Sequence, residues 1–154
     1  MHSVAEITPP KAKHAILKDV FGFDAFRPGQ EQAVDALLAG QNVLAVMPTG
    51  SGKSLCFQIP ALVSGGLTVV VSPLVALMED QVAALKLAGV AAEAINSSRP
   101  REENVIAWRR AAAGETRLLY MAPERLMTKR MLGALAKLDI RMFAIDEAHC
   151  ISQW

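Results

Sequence analysis

Short apolar runs alternate with longer amphipathic stretches along most of the chain. Residues 43–47 (Val-Leu-Ala-Val-Met), 67–71 (Leu-Thr-Val-Val-Val), 118–121 (Leu-Leu-Tyr-Met) and 142–146 (Met-Phe-Ala-Ile-Asp) have the length and near-continuous apolar character of strands buried on both faces. A weaker run spans 90–95. Between them, 28–39, 53–63, 74–87, 101–113 and 126–138 read as helices, and another, 13–21, follows the Pro9-Pro10 pair. This rhythm predicts an α/β fold, a parallel sheet with helices on both faces. The longest apolar stretches fall short of the ~20 residues that a membrane span needs, and the polar start Met-His-Ser-Val-Ala-Glu lacks an apolar signal region.

The strand predicted at 43–47 runs into Met47-Pro48-Thr49-Gly50-Ser51-Gly52-Lys53-Ser54. Gly50 and Gly52 give a tight turn its φ freedom and let backbone N–H groups approach a ligand. The helix that follows turns its free N–H groups and the positive end of its dipole toward the same spot. Lys53 is placed to reach β- and γ-phosphates, and the Ser54 hydroxyl to take a position on Mg²⁺. The general phosphate-loop pattern wants glycine where this chain has Met47, so a strict pattern search would miss it.

The strand predicted at 142–146 ends on Asp146-Glu147, the end at which open parallel sheets hold ligands. Asp146 suits Mg²⁺ held through its water shell, and Glu147 suits orientation of an attacking water, because phosphoryl transfer asks mainly for positioning and charge neutralisation. An Asp-Glu pair alone is as often a solvated helix start. Paired with the phosphate loop, it points to ATP hydrolysis.

Composition changes the picture little. The chain has 154 residues, 52% hydrophobic and 20% charged, enough for one α/β core. A net charge of +1 is too small to announce a nucleic-acid partner by field alone. Cys56 and Cys150 have no metal-ligand spacing and read as reduced thiols of a cytosolic protein, Cys56 as a small buried hydrophobe. The mixed-sign helix around 99–110 reads as a solvated face, with Trp108 packing beneath it.

Five segments in order resemble the motifs of the RecQ family of DNA helicases, within the DEAD/DEAH-type helicase superfamily. They are Phe26-Arg-Pro-Gly-Gln-Glu-Gln32, residues 47–54, Val70-Val-Ser-Pro-Leu74 with Met78-Glu-Asp-Gln81, Tyr120-Met-Ala-Pro-Glu-Arg-Leu126, and Asp146-Glu-Ala-His-Cys-Ile-Ser-Gln-Trp154. The run Lys-Ser-Leu-Cys-Phe-Gln-Ile-Pro-Ala fits as closely. Ser51 departs from the family's glycine, a change that still permits the turn and would tune phosphate affinity.

The resemblance implies a RecA-like P-loop NTPase fold, with a helical lead-in over 1–24 and an incomplete first RecA-like domain over 25–154. It implies a 3′→5′ ATP-dependent DNA helicase of repair and recombination that uses ATP and Mg²⁺ on single-stranded or forked DNA. The expected setting is the bacterial cytoplasm, in association with the nucleoid and with no membrane.

By the same resemblance Gln30 reads the adenine edge while Phe23 and Arg27 sandwich the base, although a core aromatic is the other reading of Phe23. Ser72, Pro73, Asn96 and Pro123 fall at strand ends where the family holds single-stranded DNA. The segment 96–101 reads equally as a solvated, helix-capping loop. His149, Gln153 and Trp154 begin a loop that couples DNA binding to hydrolysis. In the family a second RecA-like domain supplies the transition-state arginine, and a sheet lacking a strand and its covering helices leaves apolar surface and an open edge, so the chain alone is expected to be close to inactive and marginal in stability. A nucleotide- or DNA-binding piece without turnover and an RNA helicase of the same superfamily are the alternatives.

Overall fold

The structure, a computed structural model, describes residues 9–40 and 53–145. The chain divides into two compact units, one up to Ser64 and one from Gly65 onward.

The first unit holds α1 (Pro9–Asp19), α2 (Gln30–Leu38) and α3 (Leu55–Ser64). Leu17, Val34, Leu55 and Ile59 form its core, with Ile16, Phe21, Phe26, Leu38 and Val63 packed around them. Every residue from Leu55 to Ala61 in α3 is buried, the mark of a helix enclosed all round. Pro60 lies within α3, where it has no N–H to offer the preceding turn. Lys13 is buried yet charged, because its ammonium reaches Glu31 at 2.8 Å and also Asp35, tying α1 to α2. Burial pushes that ammonium toward neutrality, and the two carboxylates outweigh it, leaving its pKa above the ordinary lysine value.

The second unit is a four-stranded parallel sheet in the order β2-β3-β1-β4. The strands are β1 (Leu67–Val71), β2 (Ala92–Ile95), β3 (Leu118–Met121) and β4 (Ile140–Ile145), joined through α4 (Val75–Leu87), α5 (Arg101–Ala112), and α6 (Pro123–Leu126) with α7 (Lys129–Leu135). All residues of β1, β2 and β3 are buried, as their apolar runs require. One face, with Val69, Val71, Ile95, Leu119 and Met121, packs on Ala107 and Ala111 of α5 and Leu135 of α7, and Trp108 lies against this core as the sequence predicts. The opposite face carries Tyr120, whose hydroxyl donates to Gln81 Oε1 of α4 at 2.7 Å. The sheet therefore has helices on both sides. Phe143 and Ile145 of β4 are in register with Val69 and Val71, and stand 56% and 59% exposed.

Glycine matters most at the start of the second unit, just before β1. Gly65 and Gly66 both have φ near +70°, and a Cβ on Gly66 would come within 2.5 Å of Arg141 Cγ. Thr68 Oγ1 is buried with no hydrogen-bond partner among the described residues. A Thr68→Val protein keeps the shape and loses that desolvated hydroxyl, so it should be about 0.5–1 kcal/mol more stable in urea titrations. Destabilisation would show that the hydroxyl has a partner.

Three expectations need correction. The helix expected at 126–138 is two helices: Pro123 occupies the first turn of α6, and Thr128 then interrupts the chain. Its hydroxyl donates to the Arg125 carbonyl at 3.1 Å and accepts the Met131 N–H at 3.1 Å, capping α7 afresh. The helix expected at 28–39 starts at Gln30, because Gly29 takes φ 85° at its N-cap. The helix expected from residue 53 starts at Leu55, with Lys53 and Ser54 in the turn before it. The strand expected at 43–47 lies outside the described residues.

Candidate nucleotide and nucleic-acid site

In the first unit, the connection between α1 and α2 carries Phe23, Arg27 and Gln30. Gln30 is 1% exposed, and its Oε1 accepts the Arg27 N–H at 2.7 Å while its own N–H donates to the Arg27 carbonyl at 3.0 Å. This reciprocal pair works like a capping box and fixes the entry to α2. The Phe23 N–H donates to the Leu17 carbonyl at 3.0 Å, holding the connection to the end of α1. The Phe23 ring is 45% exposed, so it is no core aromatic, and the Arg27 side chain is exposed as well. Two planar groups suited to stacking on a base thus stand on one short, pinned segment.

Lys53 and Ser54 immediately precede α3. The Lys53 carbonyl accepts the Cys56 N–H at 3.0 Å and the Ser54 carbonyl accepts the Gln58 N–H at 3.0 Å, so the turn they form leads directly into the ten-residue α3. A cationic and a hydroxyl side chain at a helix N-terminus form a donor set that fits a nucleotide phosphate and its Mg²⁺. Cys56, one turn in, is buried, and burial pushes its thiol pKa up, as expected of a packing residue. Pro48, Thr49, Gly50, Ser51 and Gly52 lie outside the described residues, as do Asp146, Glu147, His149, Gln153 and Trp154.

In the second unit, the register brings the strand ends level: Val71 opposite Met121 and Ile145, and Met121 opposite Ile95. The residues that follow share one edge of the sheet. Ser72 is buried, its N–H on the Met121 carbonyl at 3.1 Å and its Oγ accepting the Leu74 N–H at 3.3 Å. Pro73 is half-buried beside it, and Pro123 is buried in the first turn of α6. The apolar side chains of these turns build the edge, and what they offer a strand is backbone and the Ser72 hydroxyl.

Asn96 is fully buried and bonded at every polar atom. Its Nδ2 donates to Glu79 Oε2 at 2.8 Å, and its Oδ1 accepts from Ser98 N–H at 3.0 Å and Ser98 Oγ at 2.6 Å. Asn104 closes the ring, accepting the Asn96 N–H at 3.3 Å and donating Nδ2 to the Asn96 carbonyl at 2.9 Å. Arg99 grips the Glu79 carboxylate with both arms, at 2.7 and 2.6 Å. Asn96 therefore holds α4, the loop after β2 and α5 in one arrangement, with no polar atom left for solvent. Sequence patterning had shown a polar turn here and not its partner, because Glu79 lies 17 residues away.

Arg99, against the opposing effect of burial, holds the Glu79 carboxyl below the ordinary glutamate range, and Asn96 adds to the effect. A carboxylate with a depressed pKa stabilises the fold above its ordinary value and loses that contribution as pH falls through the depressed one. Glu79→Gln should thus cost about 1 kcal/mol near pH 7, a figure discounted for partial exposure, with the gap to wild type closing below about pH 4. Urea titrations at several pH values measure this, and a gap independent of pH would contradict it.

The DEAD/DEAH box helicase family matches residues 27–154. The chain is 48% identical to the ATP-dependent DNA helicase RecQ of Haemophilus influenzae over 140 residues, 91% of this chain and 23% of that protein. It is 45% identical to the RecQ of Bacillus subtilis, over 91% of this chain and 24% of that one. The chain thus spans about a quarter of the length of these relatives. Among solved structures, a DUF1998 helicase, MrfA, bound to DNA shares the fold with a TM-score of 0.59 at 21% identity, over 74% of this chain and 17% of that one. The parallel sheet with helices on both faces is accordingly RecA-like. The match over residues 27–154 covers most of the sequence, and the chain belongs to the DEAD/DEAH box helicase family.

Proposed function

We propose that this chain is the ATP-binding half of a RecQ-type, ATP-dependent DNA helicase that unwinds 3′→5′ in DNA repair and recombination. The observation that carries the reading is the 45–48% identity to RecQ helicases across 91% of the chain. The pinned Phe23–Gln30 segment and the Lys53-Ser54 turn agree with it.

In this reading Phe23 and Arg27 stack on the base, and Gln30 faces the adenine edge. The loop 48–52 wraps the phosphates, with Pro48 shaping its entry and the backbone N–H groups of residues 49–52 donating, and Lys53 neutralises their charge. Ser54 and Asp146 would hold Mg²⁺, which when bound draws charge from the phosphate oxygens. Glu147 orients the attacking water and accepts its proton. Ser72, Pro73 and Pro123 present backbone to single-stranded or forked DNA, and such contacts position a strand without reading it. Asn96 acts by holding that loop in place. His149, Gln153 and Trp154 couple the strand to hydrolysis, Trp154 by stacking on a base. A second RecA-like domain completes the motor.

The test is strand separation by the protein that carries this segment, on DNA duplexes with 3′ or 5′ single-stranded tails and on matched RNA duplexes. ATP-dependent opening of the 3′-tailed DNA is expected. Opening of RNA with equal efficiency would favour an RNA helicase, and nucleotide and DNA binding without opening would favour a binding module.

A further inference from the structure

One cavity of the second unit is not used by this reading. It has a volume of about 310 Å³, at the small end of the ~300–1,000 Å³ range of ligand pockets, and lies between α5 and the α6–α7 segment. Four arginines line it: Arg101 and Arg109 from α5, Arg125 from α6 and Arg130 from α7. Thr128 and the half-buried Trp108 complete the wall, and no aspartate or glutamate lines it.

The arginines here differ from others in the unit. Arg99, Arg110 and Arg141 are each paired with a carboxylate, of Glu79, Glu93 and Asp139 respectively. None of the four cavity arginines makes an ion pair or a side-chain hydrogen bond among the described residues. Four guanidinium groups drawn to one concavity repel one another, and low-dielectric walls focus their field outward. The guanidinium fork matches phosphate geometry, which makes a phosphate the natural counter-charge.

Position narrows the ligand. Ile95, the last residue of β2, lines the cavity and is level with Met121 and through it with Val71, so the cavity reaches the strand ends that Ala122 and Ser72 follow. We propose that this cavity binds backbone phosphates of the nucleic-acid strand, a second anchor beside the strand-end loops. The inference rests on the strand-handling reading above and adds a site to it. Trp108 packs against the core and serves as a wall. Arg109 and Arg130 lie outside every motif, so the site depends on residues that the helicase signature does not include.

The experiment measures affinity for a fluorescent single-stranded DNA as a function of NaCl, for wild type, Arg109→Ala/Arg130→Ala, and a charge-matched control, Lys18→Ala/Lys137→Ala. Each phosphate contact on a single strand contributes about 0.7 to the slope of log K against log salt. The cavity variant should lose about 1.4 of slope and bind roughly tenfold more weakly at low salt, with thermal midpoint and ATP affinity unchanged. The control should match wild type. Equal losses in both double variants, or an unchanged slope in the cavity variant of a wild type that binds DNA, would overturn the cavity alone. A wild type that binds no strand would overturn the strand-handling reading together with it. Weakened ATP binding in the cavity variant, with DNA binding intact, would assign the cavity to free nucleotide phosphates and overturn the proposal as stated.

Discussion

Lys53→Ala should weaken Mg·ATP binding roughly 10- to 100-fold and, in the protein that carries this segment, reduce turnover further, by about two orders of magnitude, with little change in the fold. Lys53 sits half-buried in the turn before α3, where its backbone carbonyl already accepts the first helical bond. Main-chain hydrogen bonds from Cys56 and Gln58 hold that turn, so truncation removes the charge and leaves those bonds in place. A phosphate bound there keeps the helix dipole and backbone N–H groups, which explains why some affinity remains. The larger loss in turnover follows because charge accumulates as the phosphoryl group transfers. Calorimetry on both proteins, with circular dichroism as the folding control, reads out the effect. Equal affinities in wild type and variant would remove Lys53 from the phosphate site.

Asn96→Ala should be the most destabilising single polar substitution in the second unit. The side chain is fully buried, and its loss strands the Ser98 N–H and one bond of Glu79, while the Asn104 bonds to the Asn96 backbone survive. Leaving a buried donor unsatisfied costs about 1–3 kcal/mol, and the lost packing adds to it. The expected total is about 2–3 kcal/mol, or a thermal midpoint lower by about 5–10 °C for a chain of this size. DNA affinity should fall too, since the loop after β2 loses its fixed shape. A variant with wild-type stability and weaker DNA binding would reverse the assignment and make Asn96 a direct contact.

These expectations show where the sequence was legible. Strands such as 67–71 and 118–121 were readable because burial on both faces demands an unbroken apolar run, and both were found at the expected residues. The break between α6 and α7 was not readable, because hydrophobic periodicity continues across Thr128 and only a cap bond shows that the chain restarts. The sequence leaves Asn96 and Arg99 equally a strand contact and a solvated capping loop, because polar residues in a turn suit either. The burial of Asn96 and the pairing of Arg99 depend on a carboxylate from α4 that only the tertiary fold brings near. The cavity arginines were hidden for the same reason, two from α5 and two from the segment after β3. Phe23 went the other way: its aromatic character admitted a core position, and the fold leaves it at the surface. The phosphate loop and the acidic pair are motifs of contiguous residues, so the sequence proposes them directly, and apart from Lys53 and Ser54 they lie outside the described residues.

Among the described residues, no helix is long and apolar enough to cross a membrane. The central claim is that strand and nucleotide act on one another through the protein that carries this segment, and it is tested most directly by the ATP turnover of that protein with no nucleic acid, with single-stranded DNA and with single-stranded RNA of the same sequence. Turnover should rise with DNA and much less with RNA, and Glu147→Gln should abolish it. Turnover indifferent to DNA, in a protein that binds both ATP and DNA, would contradict it.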